Sequence, residues 1–284
     1  MKILTKVKQL TLLFLLVLIT SNIFSQNVLD GAYIHDNTPK RKFIPYTSLR
    51  ESDVMWSKRV WRVIDLREKI NLPFYYPLTP TKDRQSLIDV IKAALMAGRL
   101  TAYGNPLFDE EFKQPLTKTE VEAQFVRIDT NYVEDINNPG TMTKTPVRNE
   151  LGSQDVKQYL IKEDWFFDKQ RSVMDVRIIG ICPLKENKGD NGEVRGYQRM
   201  FWLYFPEARS VFANAEVYNR TNDAERRTYD DVFWKRQFGS YIVKVSNVYD
   251  RTIGDYKTGL DALLEAESIK ENVLFNTEHD LWHF

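Results

Sequence analysis

In the stretch Asp53-Val-Met-Trp-Ser-Lys-Arg-Val-Trp-Arg-Val-Ile-Asp-Leu-Arg-Glu-Lys-Ile-Asn-Leu-Pro-Phe-Tyr-Tyr-Pro77, the residues Trp56, Val60, Val63 and Ile64 fall at i, i+4, i+7 and i+8. That spacing predicts an amphipathic helix, capped by Ser52 or Asp53 and stopped at Pro73. One face would enter the chain's own core. The other would carry arginines towards a neighbour.

Working outward, a second helix is expected from about Asp83 to Gly98, with Leu87, Ile91, Ala94 and Leu95 on one stripe and Gly98 as its stop. Thr117 and Thr119 are candidate caps for a third, running to Phe125. Asn137-Asn138-Pro139-Gly140 through Pro146 is the strongest loop signal, either a boundary between lobes or a long surface loop on one domain. After a short helix near Gln154–Lys162, the period changes. Met174, Val176, Ile178 and Ile181 read as a strand, as does Arg199–Phe205. Asp190-Asn191-Gly192 turns the chain between them. Helices follow at about Tyr229–Val245 and Thr258–Leu274; the latter has Ala262, Ala266, Ile269 and Val273 on its stripe.

Without strict βαβ alternation, the expected class is α+β, with several amphipathic helices packed on a small antiparallel sheet. The organisation read from this is a leader (1–25), an extended arm (26–49), a helical lobe (50–136), a loop or linker (137–152) and an α+β lobe (153–284). Two lobes are the favoured reading, and one domain over 50–284 is the alternative. Asp53–Arg59 also echoes Asp231–Arg236; the favoured reading is chance likeness of two amphipathic helices with Trp and a basic neighbour, and the alternative is a duplicated helical unit.

Residues 1–25 have secretory signal peptide grammar: Lys2, Lys6 and Lys8, then an apolar run from Leu10 to Ile19, then Ser25 before Gln26. No cysteine stands at that junction, so the expected product is exported and is not itself a lipoprotein. Over the whole chain 40 Lys and Arg face 39 Asp and Glu. Removing the leader takes away three cations and no acids, leaving a net of −2. No global field steers such a chain to nucleic acid, and no later segment reads as a membrane helix.

The search for chemistry yields little. One cysteine excludes an internal disulfide framework, and Cys182 at the end of an apolar run reads as a buried small hydrophobe. His279 and His283 share i, i+4 spacing but lack the zincin glutamate after the first histidine, so no metal is assigned. His35 has no evident partner. There is no nucleophile elbow, phosphate loop or dinucleotide fingerprint. No catalytic residue and no cofactor is expected. What abounds is large aromatics interleaved with arginine, the residues that anchor protein interfaces. Trp56, Arg59, Trp61, Arg62, Trp234 and Arg236 are therefore the candidate interface residues.

The segment 53–77 resembles the signature of the gliding-motility GldN family, called PorN in non-gliding relatives. The resemblance continues in Gly98-Arg-Leu-Thr-Ala-Tyr103, in Val217-Tyr-Asn-Arg220 to Phe233-Trp-Lys-Arg-Gln-Phe238, and in Tyr241-Ile-Val-Lys244. It implies a non-catalytic periplasmic component of the type IX secretion system of Bacteroidota. The expected partners are the lipoprotein GldK (PorK) and further copies of the chain, in a ring under the outer membrane. Contact with the inner-membrane GldL/GldM motor complex is a further expectation. The alternative from the residues alone is an exported enzyme or glycan-binding protein acting on peptidoglycan or polysaccharide.

Overall fold

The computed structural model describes residues 41–81, 84–104, 111–134, 142–188, 193–219, 222 and 224–281. The leader, the first part of the arm with His35, Asp83, the Asn137–Gly140 loop, the Asp190–Gly192 turn and His283 lie outside the described residues.

In chain order the elements are β1 (Val54–Asp65), α1 (Leu72–Tyr75), α2 (Leu87–Met96), β2 (Ala102–Tyr103), α3 (Lys118–Gln124), β3 (Val126–Glu134) and β4 (Met142–Glu150). There follow β5 (Val156–Asp168), β6 (Val173–Lys188), β7 (Val194–Arg199), β8 (Trp202–Tyr204), α4 (Phe205–Phe212), α5 (Tyr229–Trp234), β9 (Tyr241–Val245), α6 (Leu260–Ile269), a π-helical turn (Lys270–Phe275) and α7 (Asn276–Leu281). The fold is α+β. Its main sheet has seven strands, in the order β2-β8-β6-β5-β1-β9 with β7 beside β6, so it is larger than the small sheet expected. Its strand pairs are all antiparallel. β3 and β4 form a separate hairpin.

The decisive stretch is a strand, not a helix. From Val60 to Asp65 every residue is buried, because β1 lies between β5 and β9 and is covered on both faces. Val60 and Ile64 enter one side of the sheet, Trp61 and Val63 the other. A strand apolar on both faces places residues at helical intervals by coincidence; its β-branched Val60, Val63 and Ile64 were the contrary sign. β5 repeats the lesson. The helix expected at Gln154–Lys162 is a 3-10 turn (Ser153–Asp155) leading into a strand in which Tyr159, Leu160 and Ile161 are buried in succession.

The helix expected over Tyr229–Val245 is helical only in its first six residues. It stops at Trp234, and the β-branched run Tyr241–Val245 joins the sheet edge. The Asp53–Arg59 echo of Asp231–Arg236 thus matches a strand to a helix, which removes the duplication.

The other helices form near their expected places. Ser86 Oγ accepts from Asp89 N–H to cap α2, and six of the helix's ten residues are buried. At about 1.5–3 kcal/mol for each large apolar side chain, that burial fixes α2 on the sheet. Thr117 and Glu120 make a reciprocal capping box at α3. The main core lies under α2, α4 and α5. A smaller cluster on the opposite face gathers Trp61, Val63, Leu160, Cys182, Leu184 and Trp202. A third joins Val60 and Ile242 to Ile253, Ala266 and Leu274, and so seats α6 and the π-helical turn.

Candidate interaction surface

The strand changes what the basic residues of β1 can do. On a helix Arg59 and Arg62 would share a face; on a strand, residues of opposite parity point to opposite sides. Arg59 is exposed and forks onto Asp164, with Nε–Oδ1 at 2.6 Å and Nη2–Oδ2 at 2.8 Å. Arg62 is only 8% exposed, and it donates to Ser240 Oγ and to Ser240 O, both at 2.9 Å. Burial pulls its pKa down and the nearby Glu163 carboxylate opposes that. Trp61, 6% exposed, lies in the smaller core cluster with Lys244 Nζ 4.5 Å from its ring centre. Trp56 is half-buried against the third cluster. The expectation that Arg62 and Trp61 face a neighbour is therefore corrected: both are interior.

Arg236 is an internal brace as well. It occupies the left-handed region at φ 51° just past the end of α5, where Arg236 N–H donates to Phe233 O and Gln237 N–H to Val232 O. This is a Schellman termination, which favours glycine. Arginine stands there because its guanidinium reaches Glu163, a fully buried carboxylate, at 2.9 and 3.1 Å. Trp165 Nε1 donates to the same carboxylate at 3.1 Å.

Trp234 is half exposed and stacks on Tyr46 at 5.4 Å. Both rings, with Phe43, surround the Arg209 guanidinium at 4.6–4.9 Å. Arg209 and Asp230 form a buried two-bond pair at 2.8 and 3.2 Å. The described part of the arm thus straps this pair: Arg41 bonds Asp231 and Asn214, and Thr47 O accepts from Arg177.

The exposed apolar surface lies elsewhere. After β1, the turn Leu66–Asn71 is clamped by Asn71, which is fully buried. Its Nδ2 donates to Asp65 O (2.8 Å) and Gly239 O (2.9 Å), and its Oδ1 accepts from Gly239 N–H (2.9 Å). The Glu68 carboxylate packs over Gly239, in space that a Cβ there would share. The clamp aims the next residues outward. Leu72, Pro73, Tyr76, Pro77, Leu78 and Tyr218 line an open groove of about 450 Å³ with an almost wholly apolar wall. Lys69 stands at its edge, and the Arg84 guanidinium lies 5.4 Å from the Tyr218 ring centre.

A second exposed apolar surface is on α6. Ala262 and Ala266 turn toward β9, while Leu260, Leu263 and Leu264 remain 71%, 52% and 60% exposed. Acidic Asp261, Glu265 and Glu267 are interspersed. Contiguous apolar faces of this kind mark contact surfaces on soluble proteins. Sequence reasoning missed both. Its sign was a mismatch: the core-facing stripe of α6 begins with small alanines, and the leucines sit off it.

Among the described residues no group of His, Cys, Asp and Glu is placed to hold a metal ion. No described helix is long and apolar enough to cross a membrane. His279 is exposed beside Asp280, and Cys182 is buried in β6.

No curated protein matches the chain in sequence. Residues 49–283 match the family described as gliding motility associated protein GldN. That span takes in the groove, the buried ion pairs and α6, and leaves out Arg41–Ser48 of the strap. The chain belongs to the GldN family of gliding motility associated proteins.

Proposed function

We propose that this chain is a non-catalytic structural component of the type IX protein secretion and gliding machinery. In this reading it is periplasmic, held at the inner face of the outer membrane by the lipoprotein GldK/PorK, and assembled with it and with further copies into a ring. Family membership over residues 49–283 carries the reading. The two exposed apolar surfaces support it, since a ring needs two different complementary faces on each protomer. The near-neutral charge fits as well, because association then depends on local patches and not on a long-range field. A hydrolytic enzyme calls for convergent carboxylates in its cleft, and the Leu72–Tyr218 groove is apolar with Lys69 as its charged lining residue.

The test is purification of the tagged chain from envelope membranes. Recovery of a ring-sized particle containing a lipoprotein is the expected result. A chain that stays monomeric in vivo and in extracts overturns the proposal.

A further inference from the structure

We infer that copies of this chain join head to tail, the leucine face of α6 in one copy seating in the Leu72–Tyr218 groove of the next. The inference rests on the assembly proposed above, and goes beyond it by naming the two surfaces that meet.

The first support is complementarity of shape and polarity. Leu260, Leu263 and Leu264 follow i, i+3, i+4 spacing, the pattern by which a helix presents apolar anchors to a groove. The groove offers them aromatic and proline walls. Charge complementarity is the second. Lys69 stands at the groove edge and Arg84 lies over Tyr218, whereas α6 carries Asp261, Glu265 and Glu267. Neither Lys69 nor Asp261 has an ion-pair partner among the described residues, so each brings an unused charge to the contact. Third, the two surfaces share no residue and belong to different parts of the fold, the groove to the turn after β1 and α6 to the layer over β9. A contact between unlike faces propagates from copy to copy and does not close on a two-fold axis. The acids on α6 also argue against an anionic membrane as its occupant.

The experiment uses the full chain in two differently tagged forms, one Leu78→Cys and one Leu264→Cys, oxidised in envelope extracts. Native Cys182 is fully buried and does not compete. The expected result is a disulfide-linked dimer when the two forms are mixed and none with either form alone. In parallel, Leu260→Asp with Leu264→Asp weakens self-association by about tenfold or more at unchanged melting temperature, as loss of central anchors does. Lys69→Asp and Asp261→Lys each weaken it, and together they restore it.

Cross-linking of Leu264→Cys to itself, or of α6 to a different protein, overturns the inference. So does a particle that persists with no cross-link and no effect of the leucine changes, and in that case the proposed function stands. A chain that is monomeric throughout removes the assembly reading and this inference with it.

Discussion

The polar interior around β1 and α5 and the apolar exterior of the groove and α6 invert the usual distribution of residue types. Arg62, Glu163, Arg209 and Asp230 lie inside, with a part-exposed Arg236 paired to Glu163, while Leu260, Leu263, Leu264, Tyr76 and Leu78 face water. Arginine beside tryptophan is a common interface signature, yet here it is spent mainly on bracing one chain. Exposed leucine and tyrosine on rigid elements carry the case for contact with other chains. Residue type alone does not separate a brace from a contact; the parity of a strand and the orientation of a helix do.

The hardest test of this contrast removes one buried counter-charge. Asp230→Ala leaves the Arg209 guanidinium enclosed by Phe43, Tyr46 and Trp234 without an anion, and is expected to cost about 3–5 kcal/mol. Leu264→Ala, in the same urea titration of the dissociated chain, should stay within about 0.5 kcal/mol. If the two variants unfold at similar urea concentrations, the leucine face is part of the fold and the contrast collapses.

Arg236 gives a finer version. Arg236→Gly relieves the left-handed backbone but strips Glu163 of its ion pair, for a net loss of roughly 2–4 kcal/mol. Arg236→Ala should lose about 1 kcal/mol more, since alanine keeps the strain. Equal midpoints for the two variants in urea denaturation refute the backbone part of this account.

The α+β class, the second and third helices and most of the last helical run were legible in the sequence, because a half-buried helix with caps writes its period plainly. β1 and β5 were not, since a strand buried on both faces has no alternation to read. The candidate surface was legible only as a composition. Arg59 and Trp234 stand exposed, the strand takes Arg62 and Trp61 inward, and the Schellman turn aims a part-exposed Arg236 at Glu163. The groove depends on Asn71 reaching Gly239 across the chain, a pairing no local pattern announces.

Asn71 is accordingly the next test. Asn71→Ala removes its bonds to Asp65 O, Gly239 O and Gly239 N–H, leaving Asp65 O with only the longer bond from Glu68 N–H (3.3 Å), at a cost of about 2–3 kcal/mol. It should also loosen the groove, read as faster amide exchange over residues 66–78 while β5 stays protected. Uniform loss of protection across the sheet counts against a local clamp.

Asp65 supplies a smaller, pH-dependent effect. Burial pushes its carboxyl up, but the Arg67 side chain, the Arg67 N–H and Gln158 all donate to it and together hold it below the usual carboxylate range. A folded pKa below the unfolded one means stability that is present above the unfolded value, near 4, and is lost as pH falls through the folded value. Asp65→Asn should therefore lower stability by about 1 kcal/mol at neutral pH, with the gap from the unmodified chain narrowing in acid. A gap that stays constant from pH 7 to pH 3 assigns the loss to geometry instead.

The smallest expected effect separates the two arginines of β1 most directly. Arg59 and Asp164 make good fork geometry, yet both are substantially exposed, so water screens the pair and replaces it when it breaks. Arg59→Ala should cost under about 1 kcal/mol, and less in high salt. Arg62→Ala, three residues on, removes two part-buried hydrogen bonds to Ser240 and the cation whose charge Glu163 feels, so it should cost more and respond little to salt. The comparison works because the two residues share a strand and differ only in which way they point. If their salt dependences match, strand parity is not what divides the inner brace from the outer surface.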